Sequence, residues 1–394
     1  MRFVLFYETT ESFNYFSDEI AAELRRRGHD AFILDLLHAD APLHSMQEFT
    51  AFCGQKVDAA ICFDRIGIHN EHYIGLWNLL GTCAVNILMD HPLRFHPTME
   101  HHPDRYIQLC PDESHVNYVR KYFPEVEHVG FLPHAGTVDA EPAVPYAEKK
   151  YDILFSGTYY IPETKLQEIE SICPKESSLY HIYMQIAQHL SAHTSETLEE
   201  AVSSVLCTAQ MPLNDNACRT IMRGITPIDW MIRMHYREKV IQTLIDAGFH
   251  VHVLGRGWEN HPRAGSPNLH IMNDRIPFAE TFDYIRNAKI NLNVMPWFKA
   301  GTHDRIFNTM LRRSVCLTDT STWIDSHFTN GENIALYHLE HLERLPETAD
   351  FWLNHPTQAE KLISNAYDIA SGNFTWVNCV DSILDILTRK YPIS

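Results

Sequence analysis

The sequence predicts two α/β domains, each built on a sheet of parallel strands. Short apolar runs alternate with amphipathic helical patterns along most of the chain, which is typical of strands joined by crossover helices. A length of 394 residues also suits two such domains better than a single core. Residues 135–150 contain glycine, two prolines and several charges without apolar periodicity, so we place the linker between the domains there.

We assign residues 1–140 to an N-terminal Rossmann-like domain. Phe16, Ile20 and Leu24 share one face of a helix, and Gly28 follows that helix, which predicts a β-α-β opening. Further apolar runs continue the alternation and predict a parallel sheet. The predicted strands are residues 3–7, 31–34, 59–63, 84–89, 106–109 and 128–132.

We assign residues 151–375 to a C-terminal Rossmann-like domain, followed by a helix over 376–394 for which a return to the first domain is open. Residues 161–236 show several helical patterns and no strand, where a simple βα unit needs only one helix. This helical insertion either enlarges the core or serves as a lid, an acceptor platform or an oligomer contact. The predicted strands are residues 151–155, 251–254, 290–294, 315–318 and 334–337.

The charge balance argues against general nucleic-acid binding. Fifty acidic against 32 basic residues give a formal net charge of −18, which repels a polyphosphate backbone. No stretch of about 18 apolar residues predicts a membrane span, and the N-terminal MRFVLFYETT lacks the features of a signal peptide. We therefore expect a cytoplasmic protein without a transmembrane segment. Its nine cysteines form no CxxC pair, so we expect reduced thiols.

Two glycine-containing turns follow the first strands of the second domain. Gly157 and Thr158 end the first strand, where a glycine permits close backbone approach and a hydroxyl and amides can face a phosphate. The next strand ends in Gly255, Arg256, Gly257 and Trp258, which combine flexibility, a fixed cation and an aromatic face. Arginine pairs with phosphates and an indole either stacks on a base or packs beneath the turn.

The densest polar cluster follows the strand INLNV. It places two fixed cations and a histidine in an acidic protein, beside a glycine and just before a predicted helix over 306–312, an arrangement suited to a diphosphate. Hydroxyls and amides after the next strand add possible phosphate or sugar contacts. The candidate residues are Lys299, Gly301, Thr302, His303, Arg305 and Asn308, followed by Thr318, Asp319 and Thr320.

The order and spacing of these motifs resemble the CgeB-like glycosyltransferases of the group 1 superfamily, which are bacterial-type enzymes. The resemblance runs through YDILFSGTYY, VHVLGRGW, INLNVMPWFKAGTHDRIFNTMLRRSVCLTDTSTW and NFTW, and covers nearly all of the C-terminal half apart from the insertion. MDHP, DESHVNYVRKYFP and FLPHAG make the N-terminal half look like the companion domain on the acceptor side.

The resemblance implies a GT-B fold, with two Rossmann-like domains facing a cleft. It implies a nucleotide-diphosphate sugar donor, with a UDP-sugar expected first, a saccharide, protein or cell-envelope acceptor, and no obligatory metal or cofactor. By this analogy Arg305 and Lys299 neutralise the diphosphate, Gly157 and Thr158 lie near the phosphates, and residues 255–258 border the nucleoside. One departure is that Asn308 stands where many relatives carry a glutamate that grips the donor.

Candidates for a catalytic base lie at predicted strand ends of the N-terminal domain. They are Glu8, His91 and His134, with Asp90 beside His91. A histidine can exchange a proton near neutral pH and a positioned carboxylate can accept one. We expect no catalytic metal, because the chain lacks a D-x-D motif, and no structural zinc, because no Cys/His spacing fits one.

Two alternatives to an active transferase stay open at this point. One is a binding or regulatory protein that keeps the nucleotide-sugar site but has lost catalysis, which the replacement of glutamate by Asn308 suggests. The other is a nucleotide-sugar epimerase with the same fold, which would form product without an acceptor.

Overall fold

The computed structural model describes residues 1–35, 37, 42–211, 214–272 and 276–391. Within it the chain divides into two compact units. The first contains residues 1–137 together with residues 373–394, and the second contains residues 138–372.

A six-stranded parallel sheet forms the centre of the first unit. Its strand order is β2-β1-β3-β4-β5-β6, so that the chain extends the sheet first on one side of β1 and then on the other. β3, β4 and β5 are buried along their whole length, as expected for strands covered on both faces. The strands are β1 (Arg2–Tyr7), β2 (Asp30–Asp35), β3 (Ala59–Phe63), β4 (Cys83–Ile87), β5 (Tyr106–Cys110) and β6 (Val129–Phe131).

Helices connect the strands of the first unit. Asn70 caps one of them by accepting the backbone N–H groups of His72 and Tyr73, and Asp112 caps another by accepting the N–H of Ser114. The helices are α1 (Glu11–Arg26), α2 (Pro42–Phe52), α3 (Glu71–Leu80), α4 (His96–Glu100) and α5 (Glu113–Tyr122).

The second unit has its own six-stranded parallel sheet. Its order is β12-β11-β10-β7-β8-β9, so the direction of extension reverses between β7 and β10. Leu292 of β10 lies opposite Phe155 of β7, and both side chains are buried. The strands are β7 (Tyr151–Ser156), β8 (Val251–Leu254), β9 (Leu269–Ile271), β10 (Ala288–Asn293), β11 (Val315–Asp319) and β12 (Ala335–Tyr337).

The long connection between β7 and β8 is helical in the residues that the structure describes, which confirms the predicted insertion. It ends with the longest helix of that connection, α10, whose buried Asp229 and Arg233 form an ion pair at 3.1 Å. Its helices are α6 (Pro162–Gln167), α7 (Ser178–Ala192), α8 (Leu198–Thr208), α9 (Asp215–Gly224) and α10 (Thr226–Asp246).

The remaining helices follow the later strands and close the chain. The last of them returns to the first unit, where a capping box between Thr375 and Asn378 begins it. These helices are α11 (Thr281–Arg286), α12 (Asp304–Leu311), α13 (Thr322–His327), α14 (Leu345–Asn354), α15 (Pro356–Asn373) and α16 (Trp376–Lys390).

The structure confirms the predicted fold class of two parallel sheets surrounded by helices. β9 is the strand that the sequence pattern did not indicate, because it has three residues and one of them, Ile271, is exposed. In the part of the chain that is described, none of the helices combines the length and the apolar character needed to cross a bilayer.

The docking of α16 on the first unit depends on Trp376. Its ring packs on Phe16 of α1 with centroids 5.0 Å apart, and its Nε1 donates a hydrogen bond to Thr137 Oγ1 at 3.0 Å. We predict that Trp376→Ala lowers the free energy of unfolding by about 3–5 kcal/mol, measured by urea denaturation, because it leaves a cavity against Phe16 and removes the hydrogen bond to Thr137. Val377→Ala, at an exposed neighbour, is the control, and an equal loss in the two variants would contradict this role.

Candidate functional site

The carboxyl ends of β7 and β10 form the switch point of the second sheet. In open α/β sheets, ligands bind where the strand order reverses, outside the carboxyl ends of the strands. β7 leads into residues 156–158, which we call the glycine turn. β10 leads into residues 295–305, which we call the basic loop. Both segments therefore lie where this fold class holds ligands.

The glycine turn leaves little room for a side chain at residue 157. A Cβ atom there would lie 3.0 Å from the Phe155 ring and 3.5 Å from Nη2 of Arg305. The backbone N–H of Gly157 donates to Leu254 O, and its carbonyl accepts Trp258 Nε1–H, both at 2.8 Å. Gly157 thus brings the main chain of this turn beside the Arg305 guanidinium.

The neighbouring turn after β8 packs directly on the glycine turn. Gly255 has a φ of +122° and Gly257 a φ of +87°, and a Cβ on Gly255 would lie 2.5 Å from the Gly157 carbonyl oxygen. Both positions require glycine, because a larger residue would be strained and would push the two turns apart. Arg256 between them is exposed.

Trp258 lies beneath these turns. Its side chain is 0% exposed and its ring stacks on Tyr159 with centroids 5.2 Å apart. The indole N–H is used by the Gly157 carbonyl. Of the two roles that the sequence left open for this ring, the geometry favours support of the turn over stacking on a base.

Arg305 is the cation that joins the two segments. It lies in the first turn of α12, and its Nη1 donates to Asn293 Oδ1 at the end of β10 at 2.5 Å. The guanidinium carbon is 5.3 Å from the centre of the Phe155 ring. Burial lowers the pKa of Arg305, but an arginine keeps its charge at neutral pH. A positive charge is therefore fixed beside the glycine turn.

Helix α10 contacts both the glycine turn and the basic loop through arginine side chains. Arg237 Nη1 donates to the carbonyl of Thr158 at 2.5 Å, and Arg233 lies 4.1 Å from the centre of the Trp297 ring in the basic loop. Arg233 is in turn paired with Asp229 one turn earlier. The spacing of these arginines on one face of α10 is a signal that sequence reasoning missed.

Lys299 lines a pocket beside the basic loop. Its Nζ donates to the carbonyl of Thr194 in the helical insertion, and its own carbonyl accepts the N–H of Thr322 at 2.9 Å. The pocket has a volume of about 200 Å³. It is lined by hydroxyl, carboxylate and apolar groups of Thr194, Ser195, Pro296, Phe298, Lys299, Asp319, Thr320, Ser321, Thr322, Asp325, His338, Leu339 and Glu340.

Asp319 is the last residue of β11 and also lines this pocket. Its Oδ1 accepts the backbone N–H of Met295 at 2.8 Å, which fixes the start of the basic loop. Burial raises the pKa of Asp319 to about 7, partly offset by the hydrogen bond from the Met295 N–H and by the charge of Lys299. Thr318 is buried and accepts Asn293 Nδ2–H at 2.9 Å, whereas Thr320 donates to Asp325 at 2.5 Å.

Similar folds occur in known glycosyltransferases. A glycosyltransferase from Rickettsia africae ESF-5 matches with a TM-score of 0.55 and 8% identity, over 100% of this chain and 99% of that one. Sucrose-phosphate synthase from Thermosynechococcus elongatus gives 0.55 and 8% over the full length of both chains. Anabaena HepE in complex with UDP-glucose gives 0.52 and 10%, over 99% and 100%. No match was found among curated proteins.

A family model decides the class of activity. The model described as glycosyl transferase-like matches residues 235–385, which include β8 to β12 and the whole basic loop. The chain is a glycosyltransferase with the GT-B fold. The family match thus covers most of the site that the geometry of the second unit indicates.

In this glycosyltransferase, three residues of the predicted donor site support α12 and the basic loop from within. His303 caps α12, since its Nδ1 accepts the Arg305 N–H at 3.2 Å. Asn308 is 3% exposed, and hydrogen bonds of 3.4 Å join its side chain to Asp304 and Arg312. The carbonyl of Gly301 accepts the Ser321 hydroxyl at 2.7 Å.

Thr302 is also buried, next to Gly301 in the basic loop. Thr302 is one of the donor-site residues that the sequence predicts for the second unit. The structure therefore brings the glycine turn, Arg305 and the support residues of the basic loop together at one end of the sheet, while Arg256 is solvent-exposed.

Two of the base candidates of the glycosyltransferase are buried histidines of the first unit. His91 begins the turn over residues 92–95 by accepting the Leu93 N–H at 3.0 Å, and its ring lies 4.4 Å from that of His115. His134 is also buried. Both rings are packed among protein groups rather than open to solvent.

Glu8 lies at the switch point of the first sheet, after β1. Its Oε1 is buried without a hydrogen-bond partner in the described part of the chain, while Oε2 accepts the Thr9 hydroxyl at 3.3 Å. Asp64, after the adjacent β3, is a residue that sequence reasoning missed. Burial and then the Asp90 carboxylate raise its pKa, and Glu8 adds to this effect.

A second missed group lies in the helical insertion. Donor atoms of His189, His193 and Glu196 lie within 4.8 Å of one another. The i, i+4 spacing of the two histidines could have indicated this group from the sequence. The turn that brings Glu196 close to them is a tertiary feature, which the sequence pattern does not show.

The buried charge of Asp319 predicts a pH effect on stability. With its pKa near 7 in the fold and at its ordinary 3.8 when unfolded, the folded glycosyltransferase holds an extra proton between these values. The stability contributed by this group therefore falls as pH rises from about 4 to about 7. We predict that Asp319→Asn gains stability relative to wild type by up to about 4 kcal/mol between about pH 4 and pH 8.

Denaturant unfolding of both proteins at several pH values measures this difference. Asp325→Asn, which removes one charge at the exposed side of the same pocket, controls for the change in net charge. A difference between Asp319→Asn and wild type that stays constant with pH would show that residue 319 does not titrate in this range.

Proposed function

We propose that the chain transfers a sugar from a nucleotide-diphosphate sugar, and that the donor diphosphate binds between the glycine turn and Arg305. One observation carries this proposal: the Arg305 guanidinium, held by Asn293, lies directly beside Gly157 at the switch point. An anion placed there meets a fixed cation beside a turn that carries no side chain at residue 157. A fixed guanidinium is a group that pairs well with phosphate oxygens.

The same groups suit the chemistry of transfer. As the glycosidic bond to the diphosphate breaks, negative charge grows on the leaving oxygen. Fixed donors and cations that are aimed at that charge lower the barrier, since they need no reorganisation. Arg305 and the N-terminus of α12 supply such charge from one segment. We propose that Lys299 adds a second cation and that the transfer needs no metal.

For the donor we propose a UDP-sugar. Anabaena HepE, of the same fold, was solved with UDP and with UDP-glucose. The resemblance of the motifs to CgeB-like enzymes supports a saccharide, a protein or a cell-envelope molecule as the acceptor. The donor assignment rests on the similarity to HepE and the acceptor assignment on the resemblance of the motifs, and the polar character of the site agrees with both.

Replacing Arg305 tests the donor site. We predict that Arg305→Ala weakens UDP binding at least tenfold, because a charge-assisted hydrogen bond contributes about 1.5–3 kcal/mol. Calorimetric titration with UDP measures the affinity, and release of UDP from a panel of UDP-sugars measures turnover. Arg263→Ala, which breaks an exposed ion pair with Asp246 in the same unit, is the control.

The outcomes separate the alternatives. Unchanged UDP affinity in a folded Arg305→Ala variant would remove the proposed site. Binding by the wild-type protein with no UDP release from any donor and acceptor pair would indicate a binding protein. Interconversion of UDP-sugars without an acceptor would indicate an epimerase.

For the acceptor side we propose that Glu8, with Asp64 as its neighbour, takes the proton of the attacking hydroxyl. The carboxylates follow adjacent strands, β1 and β3, at the switch point of the first sheet. Glu8 as a residue is only half-buried, and its Oε1 atom has no hydrogen bond among the described residues, so a side-chain rotation that exposes Oε1 lets it accept one from a hydroxyl.

We predict that Glu8→Gln retains UDP affinity but lowers transfer to a saccharide at least 100-fold, which is the range that general-base catalysis supplies. The rate is followed as UDP release with the acceptor that gives the highest turnover. Glu71→Gln, at an exposed position in the first turn of α3, is the matched control. Transfer at the wild-type rate in Glu8→Gln would exclude this residue as the base.

A further inference from the structure

The last turn of α7 and the residues after it carry a compact group of nitrogen and oxygen ligands. His189 and His193 are one helical turn apart, and their rings stack with centroids 4.0 Å apart. Glu196 follows in the connection to α8, and its Oε2 lies 2.8 Å from Nε2 of His189. One ligand atom from each residue lies within 4.8 Å of the others.

The hydrogen bond of His193 determines which of its two ring nitrogens can act as a metal ligand. Its Nδ1 lies 2.9 Å from the carbonyl oxygen of His189. Because a carbonyl only accepts, Nδ1 carries the hydrogen, and in the neutral ring Nε2 has the lone pair. A hydrogen bond from the second nitrogen to a backbone carbonyl is the arrangement that orients metal-ligating histidines.

The neighbouring capping box holds the third ligand in place. Thr197 Oγ1 accepts the N–H of Glu200 at 3.1 Å, and the Thr197 N–H donates to the Glu200 carboxylate at 2.8 Å. These bonds fix the start of α8 immediately after Glu196. The carboxylate is therefore carried on an ordered turn that faces the end of α7.

We propose that His189, His193 and Glu196 bind a divalent transition-metal ion of the Zn²⁺ type. In a tetrahedral site with bonds of about 2.0–2.1 Å, ligand atoms are about 3.3 Å apart. Metal binding therefore requires the 2.8 Å pair to open slightly and the widest pair to close by at most about 1.5 Å, which side-chain rotation achieves. Two imidazoles and one carboxylate suit Zn²⁺ rather than Mg²⁺, which prefers oxygen.

Solvent can deliver the ion. His193 is exposed, and the side chains of His189 and Glu196 are 22% and 29% exposed. The ion also leaves one coordination position for water or another ligand, because the protein supplies three ligands.

The ion would stabilise one wall of the Lys299 pocket. Thr194 and Ser195 lie between His193 and Glu196 in the chain and line that pocket. The Thr194 carbonyl accepts Lys299 Nζ–H, and its hydroxyl donates to Glu340 at 2.8 Å. A metal that joins both sides of this short segment restrains the acceptor of Lys299. An effect on donor binding rests on the proposed function, whereas metal binding itself does not.

Calorimetric titration of the metal-free 394-residue protein with Zn²⁺ tests the site, with Co²⁺ absorption as a second readout. We expect one ion per chain, at least tenfold weaker binding in His193→Ala and in Glu196→Gln, and unchanged binding in His181→Ala. His181 is exposed on the same helix and outside the cluster, so it controls for general affinity of histidines. Far-ultraviolet circular dichroism checks that each variant is folded.

A folded His193→Ala variant that binds Zn²⁺ like the wild type overturns the proposal. So does a wild-type protein that binds Zn²⁺ no more tightly than its His189→Ala/His193→Ala double variant. Slower hydrogen exchange of residues 189–200 on Zn²⁺ addition in the wild type, but not in Glu196→Gln, supports the restraint of this segment. These readouts use no nucleotide, so their failure is distinct from failure of the donor assignment.

Discussion

The hydrogen bond between Arg305 and Asn293 is the interaction on which the site of the second unit depends. It joins the first turn of α12 to the end of β10, and it directs the guanidinium towards the glycine turn at the end of β7. Because the Arg305 side chain is already held by this hydrogen bond, it loses less conformational freedom when it pairs with an anion. The site is therefore ordered before a donor binds. The reversal of strand order supplies the space that these groups face.

The surrounding packing keeps this geometry rigid. Gly157 and Gly255 allow two turns to approach within contact distance, and Trp258 fills the space beneath them while its N–H satisfies the Gly157 carbonyl. Arg237 of α10 satisfies the next carbonyl, that of Thr158. Few of the residues near the site are therefore direct contacts for a donor. Most hold the main chain that such a contact needs.

The helical insertion is part of this construction and not only added core. Its helix α10 contacts both the glycine turn and the basic loop through arginines, and its Thr194 accepts the ammonium group of Lys299. Both connections place charge where apolar strands end. Segments distant in sequence thus hold Lys299, the basic loop and the glycine turn of the proposed donor site in place.

The sequence alone determined the parallel sheets except for β9, the helical insertion and the loops of interest, because apolar periodicity and strand-end chemistry are local properties. The tertiary structure decided which side chains meet. It buried Trp258 and Asn308, since their neighbours Tyr159 and Arg312 occupy the space around them. It also brought Glu196 to two histidines and Asp64 towards Glu8, because such distances depend on how helices turn and strands align, which no local pattern records.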